Sequence, residues 1–231
     1  MLLAIDTSTS QTSIALFRDA VLAEASWQAG QQQTRELLPE IQHLLGLVGA
    51  KVKDLTAIGV ALGPGGFNGL RVGLATAKAI AAADGLPIVG IETPRADAYQ
   101  YRLTFRPIRP LYDAGRTEVA TGLYRAADEL FGTLEEPRIT TLDEALNASP
   151  PDTLFCGELR PEWCQKIRER FGPDGHVVTP AGAVRRAGYL AELAAQLVDA
   201  GLVDNPATLQ PIYLRRPPIH GGARPVGRTA Q

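Results

Sequence analysis

Cysteine and histidine are both scarce in this chain, at two and three residues. Cys156 and Cys164 stand too far apart for a CxxC centre. With no secretory signal ahead of them, free thiols in a reducing compartment are the expectation. His43 has Pro39 and Leu47 at its i−4 and i+4 positions, and neither His176 nor His220 has a ligand neighbour at metal spacing. A cysteine–histidine metal cage is thereby excluded as a reading. An excess of positive charge is missing too: 23 Lys and Arg meet 25 Asp and Glu, for a net charge of -2. That balance provides no electrostatic footprint for gripping nucleic acid directly. No stretch approaches the about 18 consecutive apolar residues of a membrane span. The opening MLLAIDTS has no basic region and only a short apolar run, so a cytoplasmic protein is expected. Ser8, Ser10 and Ser13 lack the GxSxG setting of a nucleophile elbow.

What is present is a chain of 231 residues with 45% apolar residues, enough to bury a core in one large domain or two small ones. Residues 2–6, 12–18 and 21–27 read as three strands joined by short turns, an antiparallel meander. Leu37, Leu38, Ile41, Leu44, Leu45 and Val48 then recur at helical spacing, with Pro39 in the early turns. AIGVAL (57–62) reads as a strand feeding GPGGFNGLRVGLATAKAIAAADG (63–85), a glycine loop followed by a helix of small side chains, and IVGI (88–91) as another strand. Beyond residue 100, RPIRPLYDAG and TEVATGLYRA read as a strand pair. LFC (154–156) and HVVTP (176–180) read as strands, and PEWCQKIRERFG as a helix. The segment 187–201 has the stripe of a helix closed by Gly201. These elements predict an α/β protein of two lobes with mixed sheets: 1–100, then 101–214 with its late helix able to pack back on the first lobe. A flexible Arg/Pro-rich tail is predicted over 215–231.

Two polar sites stand out. Asp6 ends the first strand before Thr7, Ser8 and Thr9. Such a carboxylate either holds a metal or water near a phosphate, or closes an Asx-turn on local N–H groups. The glycine segment lacks the Lys-Ser/Thr end of a Walker loop and the Gly-x-Gly-x-x-Gly spacing. Gly63, Gly65 and Gly66 therefore either present backbone donors to an anion at a helix start, with Arg71 adding charge, or permit close backbone packing. Asp113 and Glu118 flank Arg116 at a strand–turn–strand junction, which reads more readily as a turn held by a local ion pair than as a catalytic couple.

Five segments in order carry a family resemblance: LAIDTSTSQTSIAL, QTRELLPEIQHLL, GPGGFNGLRVGLATAKAI, YDAGRTEVATGLY and LQPIYLR. Together they resemble the bacterial TsaB (YeaZ) family of tRNA threonylcarbamoyladenosine biosynthesis proteins, once grouped with glycopeptidases. The resemblance implies the two-lobed acetate kinase/heat-shock 70/actin-like (ribonuclease H-like) fold. It implies a non-catalytic subunit that activates its paralogue TsaD, which installs threonylcarbamoyl on the adenosine beside the anticodon of tRNAs reading ANN codons. TsaE would join the assembly, and tRNA would be an indirect partner. Alone, the subunit would self-pair, and ATP and metal would belong to its partners, leaving this subunit with no cofactor of its own. The alternative from the same superfamily is an ATPase or ATP-dependent phosphotransferase. The catalytic paralogue's His-x-x-x-His helix is represented here only by His43, which is not at a matching position. The implied dimer surface lies on the helices at 34–48 and 70–83, with Leu37, Ile41, Leu74 and Lys78 as candidates. Asp6, Thr7, Ser8, Gly63, Gly65 and Gly66 correspond to a vestigial phosphate site. Asp113, Arg116 and Glu118 correspond to the second-lobe motif. Gly66 and Asn68 replace the family's usual Ser and Thr, removing two hydroxyls from the loop, and Gly115 replaces an Ala.

Overall fold

The computed structural model describes residues 1–127 and 130–215. Its first sheet has the order β3-β2-β1-β4-β5, formed by Val21–Gln28, Gln11–Phe17, Leu2–Asp6, Ala57–Ala61 and Ile88–Ile91. β1 is central and wholly buried. It pairs antiparallel with β2 from Leu2↔Phe17 to Asp6↔Ser13, and parallel with β4. A strand buried on both faces needs no polar alternation, which is why LLAID is almost continuously apolar. Leu3 and Ile5 point to one face, where α1 (Gln33–Leu47) and α2 (Phe67–Asp84) cover them. Leu2 and Ala4 point to the other, where α6 (Ala187–Asp199) lies. That second face is rich in small residues, Ala4, Ala15, Ala57, Gly59 and Ala61, so α6 sits close: a Cβ on Gly59 would come within 2.7 Å of the Ala194 Cβ.

The second sheet has the order β10-β9-β6-β7-β8, formed by His176–Val177, Leu154–Gly157, Ile108–Gly115, Glu118–Ala127 and Leu130–Thr141. α4 (Leu142–Asn147) and α5 (Pro161–Phe171) bury Leu146, Trp163 and Ile167 against one face. α3 (Thr93–Tyr99) fills the space between the second sheet's other face and α6. Architecture and strand order are the mixed α/β of two lobes.

Several boundaries differ from the sequence reading. The first lobe is completed by α6 from the far end of the chain. β10 stops at Val177, short of the Thr179-Pro180 pair, whose proline has no N–H to continue a ladder. Pro39 is the seventh residue of α1, in its second turn, and its ring is exposed. β8, α3 and α4 have no counterpart in the sequence reading. The expected tail lies outside the described residues except for Arg215, which is ordered against the second lobe. Among the described residues no helix is long and apolar enough to cross a membrane.

Candidate functional site

Between the lobes lies an open cleft of about 980 Å³, lined by the turn after β1, the glycine loop, the β6–β7 turn and residues 212–215. Sequence alternatives at Asp6 resolve here by geometry. Its Oδ1 accepts from the Ser8 N–H at 2.9 Å and the Ser8 hydroxyl at 2.5 Å, the Asx-turn arrangement. Its Oδ2 accepts from Arg185 Nε at 2.7 Å, and both side chains are buried. Arg185 is held on every side: Nη2 donates to Thr9 Oγ1 at 2.7 Å and to the Gln11 carbonyl at 3.1 Å. Gln11 in turn bonds the Arg185 backbone through both ends of its amide. Burial opposes the guanidinium charge, but Asp6, Tyr112, Asp97 and Glu158 outweigh it and raise the pKa further.

Asp97, on α3, is the unusual member of this cluster. Tyr112 donates its hydroxyl to Asp97 Oδ2 at 2.6 Å, while Oδ1 has no partner among the described residues. Burial is the main cause that pushes the Asp97 carboxyl up to about 6, against the pull of Arg185 and the Tyr112 hydrogen bond. Burial also pushes the Tyr112 hydroxyl far up, so it remains a donor.

The glycine loop closes on the same turn. Gly66 N–H donates to the Ser8 carbonyl at 2.6 Å, and the Thr7 hydroxyl donates to the Gly69 carbonyl at 2.7 Å. A Cβ at position 65 would stand 1.9 Å from the Ser8 carbonyl oxygen, and one at position 73 would stand 2.2 Å from Thr7 Oγ1. Those glycines exist because α2 and its loop lie directly on the β1–β2 turn. Gly63 is likewise engaged, donating to Thr93 Oγ1 at 3.1 Å. The groups that would receive a phosphate and its metal are engaged within the chain. Asp6 has both oxygens committed, the guanidinium occupies the charge position beside it, and Gly66 N–H is spent on Ser8. Chemically the cluster is a lock between turn, loop and α6.

Three of the four proposed surface residues face the wrong way. Leu37, Ile41 and Leu74 belong to the first core, under β1 and β4. The stripe that makes a helix amphipathic is the one that a sheet covers. Lys78 is half-buried on α2. The outward face instead carries Leu38 at 52% exposure and Leu47 at 66%, beside exposed Arg71, Ala75 and Ala79 on α2.

The second-lobe motif shares one turn without closing on itself. Asp113 accepts from Gly115 N–H at 3.0 Å and pairs with Arg160, while Glu118 pairs with Arg215. Arg116, at φ 54°, has no ion pair among the described residues. The expected local pair is thus replaced by two arginines from elsewhere in the chain. Arg185, Asp97, Tyr112 and Glu158 had no sequence signal of their own.

A family model described as TsaD: tRNA N6-adenosine threonylcarbamoyltransferase matches residues 27–169. The tRNA threonylcarbamoyladenosine biosynthesis protein TsaB of Bacillus subtilis is 31% identical over 218 residues, covering 93% of each chain. The protein of the same name from Escherichia coli is 34% identical over 92 residues, 40% of each chain. Among solved structures, YeaZ from Pseudomonas aeruginosa superposes with a TM-score of 0.76 at 22% identity, over 91% of this chain and 99% of its own. That likeness carries the fold; the sequence matches carry the family. The chain belongs to the TsaB family of tRNA threonylcarbamoyladenosine biosynthesis proteins, within the wider group that the TsaD family model describes.

Proposed function

We propose that this chain is a non-catalytic subunit that pairs with the TsaD transferase and supports transfer of threonylcarbamoyl to tRNA adenosine. Family membership supports the coarser part, a role in threonylcarbamoyladenosine modification of tRNA. The observation that carries the non-catalytic part is the Asp6–Arg185 pair. A carboxylate at the end of β1 serves hydrolysis only if it is free to hold a metal or orient a water, and this one is consumed internally. The phosphotransferase alternative needs that freedom. In our reading, ATP and metal act on the partner subunits, TsaE joins through the TsaD complex, and tRNA is contacted indirectly. The net charge of -2 is consistent with that last point.

The docking face we assign is the outer side of α1 and α2. Leu38 and Leu47 supply apolar area, and Ala75 and Ala79 let a partner helix approach closely. The same face would serve self-pairing when TsaD is absent. The decisive experiment mixes the purified chain with TsaD from the same genome and measures complex mass and transfer to tRNA. A heterodimer at micromolar concentration, with transfer that depends on this chain, is expected. Full transfer by TsaD without it, or ATP hydrolysis by this chain alone, overturns the reading.

A further inference from the structure

Three of the sequence motifs meet at one place, the mouth of the cleft, through the segment that follows α6. That segment is first pinned at the β5 edge, where Asp204 N–H donates to the Ile88 carbonyl and Asp204 Oδ2 accepts from Gly90 N–H at 2.8 Å. It then crosses the end of β4: Leu209 and Ile212 pack on the first core, and Ile212 N–H donates to the Leu62 carbonyl at 2.8 Å. Tyr213 reaches the first turn of α2, its ring 5.4 Å from that of Phe67. Arg71 clamps the two, with its guanidinium carbon 3.7 Å from the Phe67 ring centre and Nε donating to the Tyr213 hydroxyl at 3.3 Å. Two residues later the chain leaves the first lobe. Arg215 donates to the Ala114 carbonyl at 3.4 Å and pairs with Glu118, both on the β6–β7 turn of the second lobe.

The opposite side of the cleft is joined differently. There α3 packs on α6, with the Tyr99 hydroxyl donating to Glu192 at 2.9 Å and Arg102 pairing with the same carboxylate. A two-lobed body joined at its back and tied at its mouth can open only by releasing the tie. The tie is seated firmly at its first-lobe end by apolar packing and weakly at its second-lobe end. Arg215 and Glu118 are 43% and 32% exposed, where an ion pair is screened and contributes little.

We propose that residues 205–215 form a latch that holds the two lobes closed and couples their separation to the first turn of α2. Release at Arg215 frees the β6–β7 turn; loss of the tether then loosens Tyr213 on Phe67 and Arg71, and with it the start of the helix. The coupling is a property of the single chain and stands apart from the proposed pairing with TsaD.

Charge reversal tests it in the intact chain by amide hydrogen exchange. Arg215→Glu and Glu118→Arg should each raise exchange about threefold to tenfold, both at residues 113–118 and at residues 67–71, the size of one exposed pair. The double reversal should restore slow exchange at both. Tyr213→Ala, which cuts the latch at its other end, should loosen the same two segments. Unchanged circular dichroism identifies the variants as folded, and their partly exposed positions favour that outcome. Single reversals that disturb only residues 113–118, or a double reversal that fails to restore residues 67–71, overturn the latch. Loosening of the whole chain in every variant, Tyr213→Ala included, also overturns it.

Discussion

Arg185 donates to Asp6 from 179 residues away in sequence, and the two buried side chains tie the turn after the first strand to the residue just ahead of the last helix. Removing one partner leaves the other charge buried and uncompensated. Asp6→Ala should therefore destabilise the fold by about 3–5 kcal/mol, measured by urea unfolding. An effect below about 1 kcal/mol would mean that the pair is solvated and the lock is not one.

Asp97 should make stability fall as pH rises through mild acidity. Its carboxyl is raised from the ordinary 3.8 to about 6, so the folded chain keeps a proton that the unfolded chain has already released. The associated stability is full below about pH 4 and lost as pH passes about 6, a swing on the order of 3 kcal/mol. The groups facing it are Arg185, Tyr112, Asp6 and Glu158. Because other carboxylates titrate in the same range, the informative quantity is the difference between wild type and Asp97→Asn across pH 4–7. Parallel stability curves would refute the assignment.

Two glycine-to-alanine changes should have opposite signs. Gly73→Ala pushes a Cβ to 2.2 Å from Thr7 Oγ1 inside the α2 packing. It should destabilise by about 1–3 kcal/mol, or more if Thr7 loses its bond to Gly69. Gly46, in α1, has open space where a methyl group would project. Gly46→Ala should stabilise by about 0.5–1 kcal/mol through helix propensity. Thermal unfolding of both variants decides whether contact or backbone freedom governs each position.

Neighbouring leucines on α1 separate core from docking face. Leu37→Ala empties a core position and should destabilise by about 2–5 kcal/mol. Leu38→Asp, at an exposed position, should leave stability within about 0.5 kcal/mol and weaken TsaD binding at least tenfold. Titration of the two variants against TsaD, alongside their unfolding curves, tests the orientation directly. Unimpaired binding by Leu38→Asp would move the docking face elsewhere.

Most of the first lobe could be read from the chain because its elements carry strong local periodicity. The LLAID run, the Leu37–Leu44 stripe and the alanine-rich α2 each announce their type within one window. β8 escaped because Gly132, two glutamates and Pro137 interrupt its alternation, although it pairs with β7 along most of its length. α4 was missed despite the capping box between Thr141 and Glu144, a six-residue helix being too short to show a stripe. The cleft cluster was invisible for another reason. Nothing local distinguishes Arg185 from Arg186, yet the first is buried on Asp6 and the second is an exposed partner of Glu24. The glycine loop was the reverse case: its composition left anion binding and close packing open, and only the distances to Thr7 and Ser8 separated them.

The placement of α6 also bears on how the protein is made. One face of the first sheet stays largely bare until residues 187–199 exist, because α6 is the helix that covers Leu2, Ala4, Ala57 and Val89. Synthesis runs from the N-terminus, so the first sheet waits uncovered while the whole second lobe is translated. The lobes should therefore mature in the order second, then first, and a chain stopped after residue 100 should expose an apolar sheet face instead of folding as a half-molecule.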